Sequence, residues 1–424
     1  MVSSRVGLGV TSVALALIGA TSASAQSESL IQDQLDGVRN RLFELGPFHA
    51  TPVIRFATGY DSNALSTPDP QQDISALFGP GIQLGLPFGS SAFFDFYQEV
   101  DFVYYQEQVE LRQVFSITRV GGGWGGRRFL FQVHDEFRDE TQRPTSEFDF
   151  PVETRTNLFD ASLTMTLGWR QELSARYRQQ KSEIREQLID DPLVPQRLNN
   201  VRDSISLDLA RHVTAKTQAI VEGFFEKQTF DDPTRDNDSY GARAGFDFSP
   251  GSGRASLPAK EEAGISGRVM IGFRKIVPVV VTQLGYTGPI GIADVRLTSA
   301  GRHRLRGVYD REIVPSILSD NWYFVQNRVG AFFRWQLHEK FSIEPGAIVG
   351  DNNYPLPRLV EGDDGELVEE EIVDEHLSLQ LNLEYNLRKS WFVGVTTQYF
   401  ERRSNVVAFD KGRTLVNLNL ILRP

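Results

Sequence analysis

The side chains able to do chemistry are present but not gathered. The six histidines, His49, His134, His212, His303, His338 and His376, are scattered over 424 residues, and none stands in the H-E-x-x-H spacing that holds zinc. There is no G-x-S-x-G elbow and no phosphate-cradling P-loop. Cysteine is absent, which removes thiol catalysis, disulfides and thiolate metal sites. Ser378 lies close to His376, but both fall on the polar side of one alternating segment. Segment 361–375 carries Glu361, Asp363, Asp364, Glu366, Glu369, Glu370, Glu371, Asp374 and Glu375. Their spacing does not fit an EF-hand loop. The segment reads as a solvated loop, with divalent bridging to surface glycolipid as the sharper alternative. No enzyme, cofactor or metal is expected.

The charges that do show a pattern are arginines and carboxylates spaced two apart. Arg176 and Arg178 alternate with Ala175 and Tyr177, and Arg302, Arg304 and Arg306 share one parity, with Leu305 and Tyr309 on the other. Arg243, Arg328 and Arg334 hold equivalent places, as do Asp95, Glu99, Asp101, Glu222, Glu226 and Glu384. A spacing of two puts such groups on one face of a pleated strand. The opposite faces are apolar, and a charge facing lipid would cost about 2–4 kcal/mol near mid-bilayer. These groups are therefore expected to line the inside of a closed sheet. Either they give a lumen a charged wall and bias it towards anions, or they pair across strands and only solvate it.

The elements that carry them show the same period. Leu377, Leu379, Leu381, Leu383, Tyr385 and Leu387 alternate with Ser378, Gln380, Asn382, Glu384, Asn386 and Arg388. Ala161, Leu163, Met165, Leu167 and Trp169 repeat this, as do Tyr240, Ala242, Ala244, Phe246 and Phe248, and Trp391, Val393, Val395, Thr397 and Tyr399. Mean hydropathy is only −0.28. That excludes a bundle of spanning helices, each needing about 20 consecutive apolar residues, but suits a barrel whose strands dilute the signal. Twenty-nine Phe, 12 Tyr and 5 Trp suit girdles at lipid headgroups. A formal net charge of −11 disfavours nucleic acid as a partner.

Residues 1–25 read as a signal peptide: Arg5 precedes the apolar run Val6–Ala20, and Ala23-Ser24-Ala25 offers cleavage before Gln26. Residues 26–46 read as a short periplasmic amphipathic helix, with Ile31, Leu35, Val38, Leu42 and Leu45 on one side. Its expected role is to cap the periplasmic mouth, with docking to a partner as the alternative. Residues 47–424 then form the barrel. Short links at 87–91, 121–126, 168–172, 213–216, 300–302, 337–340 and 388–390 alternate with longer ones at 61–73, 140–153, 185–200, 231–239, 278–289, 355–371 and 404–411. Links near 106–108 and 316–320 are short for their positions. Alternation of this kind marks periplasmic turns and surface loops, and implies an all-β, closed antiparallel transmembrane barrel of about 18 strands, with 16 as the alternative.

Leu45-Gly46-Pro47-Phe48, followed by Gly59-Tyr60-Asp61-Ser62-Asn63, resembles the start of the outer membrane beta-barrel family found in exopolysaccharide gene clusters, a beta-barrel porin type. The likeness extends through the successive hairpins. The final residues, Leu420-Ile421-Leu422-Arg423-Pro424, differ from the aromatic end of many such barrels. The resemblance implies an outer-membrane channel taking part in export of exopolysaccharide or another polar polymer. The residues alone leave open an uptake porin, general or solute-specific, and a non-conducting scaffold or adhesin. Expected partners are outer-membrane lipid and glycolipid, the barrel assembly machinery, the polysaccharide itself and periplasmic export components.

Overall fold

The computed structural model describes residues 31, 35–39, 41, 43–67, 69–126, 128–143, 147, 151–168, 170–187, 193–214, 216–248, 263–280, 283–299, 302–318, 321–361, 367–388, 391–405 and 411–422. The expected signal peptide at 1–25, Leu42, Trp169, Asp363, Asp364, Glu366, Arg423 and Pro424 lie outside these.

Period-two segments become strands because pleating sends alternate side chains to opposite faces. In chain order they are β1 (Phe43–Leu45), β2 (Phe48–Asp61), β3 (Asp73–Phe88), β4 (Ala92–Tyr105), β5 (Gln113–Gly125), β6 (Phe129–Gln142), β7 (Val152–Gly168), β8 (Gln171–Gln187), β9 (Asn200–Thr214), β10 (Thr217–Phe230), β11 (Asn237–Phe248), β12 (Gly264–Pro278), β13 (Tyr286–Ser299), β14 (His303–Pro315), β15 (Tyr323–His338), β16 (Phe341–Asn353), β17 (Arg358–Glu361), β18 (Leu367–Glu370), β19 (Asp374–Arg388), β20 (Trp391–Ser404) and β21 (Lys411–Leu422). The strands β17 and β18 make a separate hairpin. The three-residue β1 pairs only with β2. The remaining eighteen strands pair antiparallel with their neighbours, and β2 pairs with both β3 and β21. The final pairing, from Ile54 opposite Leu422 to Asp61 opposite Leu415, closes the circuit.

All turns at one end, except that between Phe248 and Gly264, are two or three residues long. Links at the other end run from six to twenty residues. We call these the turn end and the loop end. The outer face is apolar: Leu163, Met165, Phe246, Leu305, Val329, Leu379 and Leu381 are all exposed. Residues of the other parity meet partners two strands away, as Arg304 of β14 meets Glu344 of β16. Such convergence occurs on the concave side of a curved sheet, so this parity faces inward.

Four expectations are corrected. The glycine run 121–126 is not a link, because Gly121 to Gly125 stay paired within β5 and the chain turns after it. Leu45 is not helical. Residues 35–39 are, but Phe43–Leu45 pairs with Phe48–Ala50 around Gly46, whose φ of 65° suits glycine. Arg302 lies in the turn before β14, not in the strand. Asp374 is not solvated: at the start of β19 it is 2% exposed.

The register gives a direct test. Leu381 and Asn382 are neighbours on opposite faces, with Leu381 exposed outward. Leu381→Arg should cost about 2–4 kcal/mol in the bilayer and reduce assembly, whereas Asn382→Arg should be tolerated. The yield of heat-modifiable barrel on unboiled gels measures both, and equal yields would refute the assigned faces.

Candidate functional site: the barrel interior and its two ends

The inner wall is charged, and its charges are matched. Every arginine expected inside a strand from the sequence lies on the inner face with a carboxylate beside it. Arg176 and Arg178 flank Asp160 at 3.6 and 3.0 Å. Arg243 pairs with Glu222. Arg304 reaches Glu344 at 2.9 Å, and Arg306 reaches Asp294 at 2.8 Å. Arg328 holds Asp310 at 2.6 Å, and Arg334 holds Glu384 at 2.6 Å. The acids behave likewise. Asp101 pairs with Arg55, which also meets Glu99 at 3.0 Å. Asp95 pairs with Arg41, and Glu226 with Arg274 and Arg202. Pairing within hydrogen-bond distance cancels most of the field a row of arginines would project, since opposite unit charges attract most strongly at contact.

Most partners were not singled out in the sequence. Asp160, Asp294, Asp310 and Glu344 lie one or two strands from their arginines. Parity reveals a residue's face, but the partner also depends on register across the turns. Aromatic rings on the same wall were missed for the same reason. Phe224 lies beneath Arg243 and Arg274, with guanidinium-to-ring distances of 5.2 and 6.0 Å. Tyr97 lies beneath Arg119 at 5.3 Å and Phe332 beneath Arg306 at 5.5 Å. These are cation–π distances.

At the loop end, links from opposite sides of the barrel meet. Glu147, between β6 and β7, is fully buried. It accepts from the Ser316 hydroxyl at 2.7 Å, the Ile317 amide at 2.5 Å and the Tyr354 hydroxyl at 3.2 Å. Its backbone carbonyl accepts from Arg402 at 2.7 Å. Arg402 also donates twice to Asp374, at 2.6 Å each, and both side chains are wholly buried. The link 316–322 is the hub. Arg235 donates to the Ser316 and Leu318 carbonyls, and Arg197 to the Ile317 carbonyl at 2.5 Å. Ile317 also packs on Val152, Ile184, Val194 and Leu198. Burial pushes the Glu147 carboxyl up to about 7. Burial, reinforced by Arg197, brings Arg235 down to about 10.

At the turn end the N-terminal segment enters the interior. Ile31, Leu35 and Val38 are 2%, 0% and 2% exposed. Ile31 and Leu35 form a cluster with Leu130 of β6, against which Phe93 of β4 packs. A β-carbon at inward Gly125 would lie 3.0 Å from Ile31, and one at Gly85 2.7 Å from Val38. Arg41 then binds Asp95. The barrel is thus narrowed at both ends around an interior of matched charge. Among the described residues no group of three or more His, Asp or Glu is placed to hold a metal.

No protein-family model and no curated protein matches the chain. In fold it is similar to the outer membrane protein opdK from Pseudomonas aeruginosa, at 9% identity, over 88% of this chain and 99% of that one, with a TM-score of 0.50. Two further solved structures overlap less well. OccK7 (OpdD) from Pseudomonas aeruginosa has 9% identity, coverage of 90% and 99%, and a TM-score of 0.49. A bacterial polysaccharide outer membrane secretin has 9% identity, coverage of 88% and 98%, and a TM-score of 0.36. The first likeness bears on the barrel fold alone, and the other two carry no argument.

Two outcomes follow from the loop-end assembly. Arg402→Ala leaves Asp374 buried without its cation, which costs about 3–5 kcal/mol for a buried pair. A lowered unfolding temperature with retained barrel circular dichroism would show it. Glu147 gives a pH dependence. Its folded value lies above the ordinary 4.5, so its protonated form favours the docked state. Docking should be strongest below about pH 4.5, weaken as pH rises towards 7, and then level off. Protease nicking of the link 316–322 should therefore be greater at pH 8 than at pH 5. Glu147→Gln, which cannot ionise, should flatten that difference.

Proposed function

We propose that the chain spans the outer membrane as a channel for small polar solutes. One observation carries the reading: a single closed sheet presents an apolar outer face and a water-reached inner wall of matched charge. Arg243 and Arg306 expose 31% and 26% of their side chains inside the barrel, so water reaches the interior. A sheet of eighteen strands is too wide for its own side chains to fill. Matched charge suits cargo that is polar but carries little net charge. The expected anion bias from Arg176, Arg178, Arg304 and Arg306 is weakened by Asp160, Glu344 and Asp294 beside them.

Export of an exopolysaccharide or similar polymer, as the sequence resemblance implies, is the second reading. Phe224, Tyr97 and Phe332 favour it, because aromatic rings on an inner wall suit the C–H faces of sugars. The loop-end assembly favours the first reading, since Glu147 and the link 316–322 meet across the mouth. In either case a cleaved signal peptide at 1–25 would direct export, and outer-membrane lipid and glycolipid, the barrel assembly machinery and periplasmic components are proposed partners of biogenesis and transport.

Planar-bilayer recording tests this. The parent should conduct, with a reversal potential close to zero in a salt gradient. Asp294→Asn combined with Asp310→Asn removes the carboxylates from Arg306 and Arg328 and should shift selectivity towards anions. A parent that never conducts would overturn the channel reading. A strongly anion-selective parent would show that the pairs do not cancel.

A further inference from the structure

One stretch of the outer face breaks the apolar rule. On β4, Gln98 stands between Phe96 and Val100; on β5, Ser116 and Thr118 stand between Val114 and Val120; on β6, Asp135 stands between Val133 and Phe137. These polar residues share the parity of Phe102, Val120, Trp124 and Phe131, all exposed. Glu136, of the other parity, pairs inward with Arg119. The polar residues are joined across strands. The Thr118 hydroxyl donates to Gln98 Oε1 at 2.6 Å, and Asn157 of β7 donates to Asp135 Oδ1 at 3.1 Å. Across the barrel, Leu305, Gly307 and Tyr309 of β14 and Val329, Ala331 and Phe333 of β15 run without such a break.

Lipid cannot answer this track. A carboxylate has about four acceptor sites, and Asn157 fills one of them. Asp139, nearer the loop end, is met by Arg155 at 3.0 Å and Arg185 at 3.7 Å. Asp135 has an amide in place of a cation. Hydrocarbon supplies neither donor nor water, so Asp135 needs a polar neighbour from outside the barrel. Gln98 and Asp135 also lie at one height. Rows of paired residues climb towards the loop end as strand number rises. The row of Ala92, the first residue of β4, passes through Trp124 and Phe131 to Leu163, well inside β7, which ends at Gly168. The row of Gln98 passes through Thr118 to Phe137. The outward β6 residue level with Gln98 is therefore the next one towards the turn end, Asp135.

We propose that the outer face of β4, β5 and β6 is a two-fold interface with a second copy of this chain, in which Asp135 of each copy accepts from the Gln98 amide of the other. Both copies must keep the same end outward, so the axis runs along the membrane normal. Rotation about an axis at β5 preserves height and exchanges β4 with β6. Gln98 of one copy then meets Asp135 of the other as donor to acceptor, twice by symmetry. Donor and acceptor share one patch, two strands apart, which suits a patch meeting itself rather than a ring built from two separate patches. The Gln98 Nε2 leans on the Glu99 carbonyl at 3.3 Å, which uses one of its two N–H groups and leaves the other to give. Ser116, Thr118 and Gly122 keep β5 low between the rings of Phe96 and Phe102 on one side and Phe131 and Phe137 on the other. Small and polar residues of this kind let two membrane surfaces approach and bond. The proposal rests on the chain spanning a membrane, not on conduction.

The chain holds no cysteine, so single thiols can be placed cleanly. Val120 lies on β5 beside the axis, and Val120→Cys should give a covalent dimer when native membranes are treated with iodine, which enters lipid. Leu305, exposed on β14, lies across the barrel, and Leu305→Cys should give none. Native mass spectrometry from mild detergent should show the parent at twice its chain mass. Gln98→Leu combined with Asp135→Leu suits lipid and should yield monomers whose barrel still shifts on boiling. A monomeric parent, equal cross-linking at both positions, a dimer that survives the double substitution, a three-fold ring, or a Val120→Cys adduct with a different protein would each overturn the proposal. A chain recovered outside membranes removes the spanning reading and the interface with it. A membrane barrel that stays monomeric removes the interface and leaves the channel reading standing.

Discussion

A chain that crosses lipid as strands has to pair every backbone amide and carbonyl with itself, because hydrocarbon offers no substitute. Here that demand is met where β21 returns to β2, with Leu415–Leu422 against Ile54–Asp61. The rest follows. A closed antiparallel circuit needs an even number of strands, which brings the start of β2 and the end of β21 to the turn end. Closure also divides every strand into an inner and an outer face. Leu379 and Leu381 can then be exposed outward without penalty, because their surroundings are lipid rather than water.

Placing charge on the inner face raises a second problem. The interior is narrower and less polar than bulk water, so unmatched charges there interact strongly. The wall answers with pairs that reach across strands, such as Arg304 with Glu344 and Arg334 with Glu384. Curvature makes these contacts possible, since inward side chains two strands apart converge. Pairs that remain partly solvated add little stability. Their consequence is a wall rich in hydrogen-bonding groups with a small net field.

Faces were legible in the sequence, and contacts were not. Leu377 to Leu387 announced a strand and its orientation because period two has only one structural reading at that length. The same parity put Arg176, Arg243 and Arg328 inside. Their partners depend on register, and register is set by turn lengths that the residue pattern leaves loose. The inward folding of the loop end was hidden for a different reason. Glu147 meets Tyr354 over more than two hundred positions of sequence, and no local spacing encodes that. Asp374 sat in an acidic run that reads as solvated, yet one arginine, Arg402, takes it out of water.

The glycine run shows how one misreading and one partial reading belong together. Five glycines among 121–126 suggest a turn, because glycine tolerates backbone conformations other residues avoid. In the barrel the run is paired strand, and its inward positions lack side chains where other matter approaches. Gly123 faces the Phe93 ring, and Gly125 faces Ile31, each at distances that a β-carbon would crowd. Gly85 does the same for Val38 and Arg41. The amphipathic spacing of Ile31, Leu35 and Val38 needs an apolar partner, and strands facing a watery interior rarely offer one. Leu130, Phe93 and the bare backbone of β5 supply it. The two sequence features, distant and read separately, are the two halves of one contact that narrows the turn end.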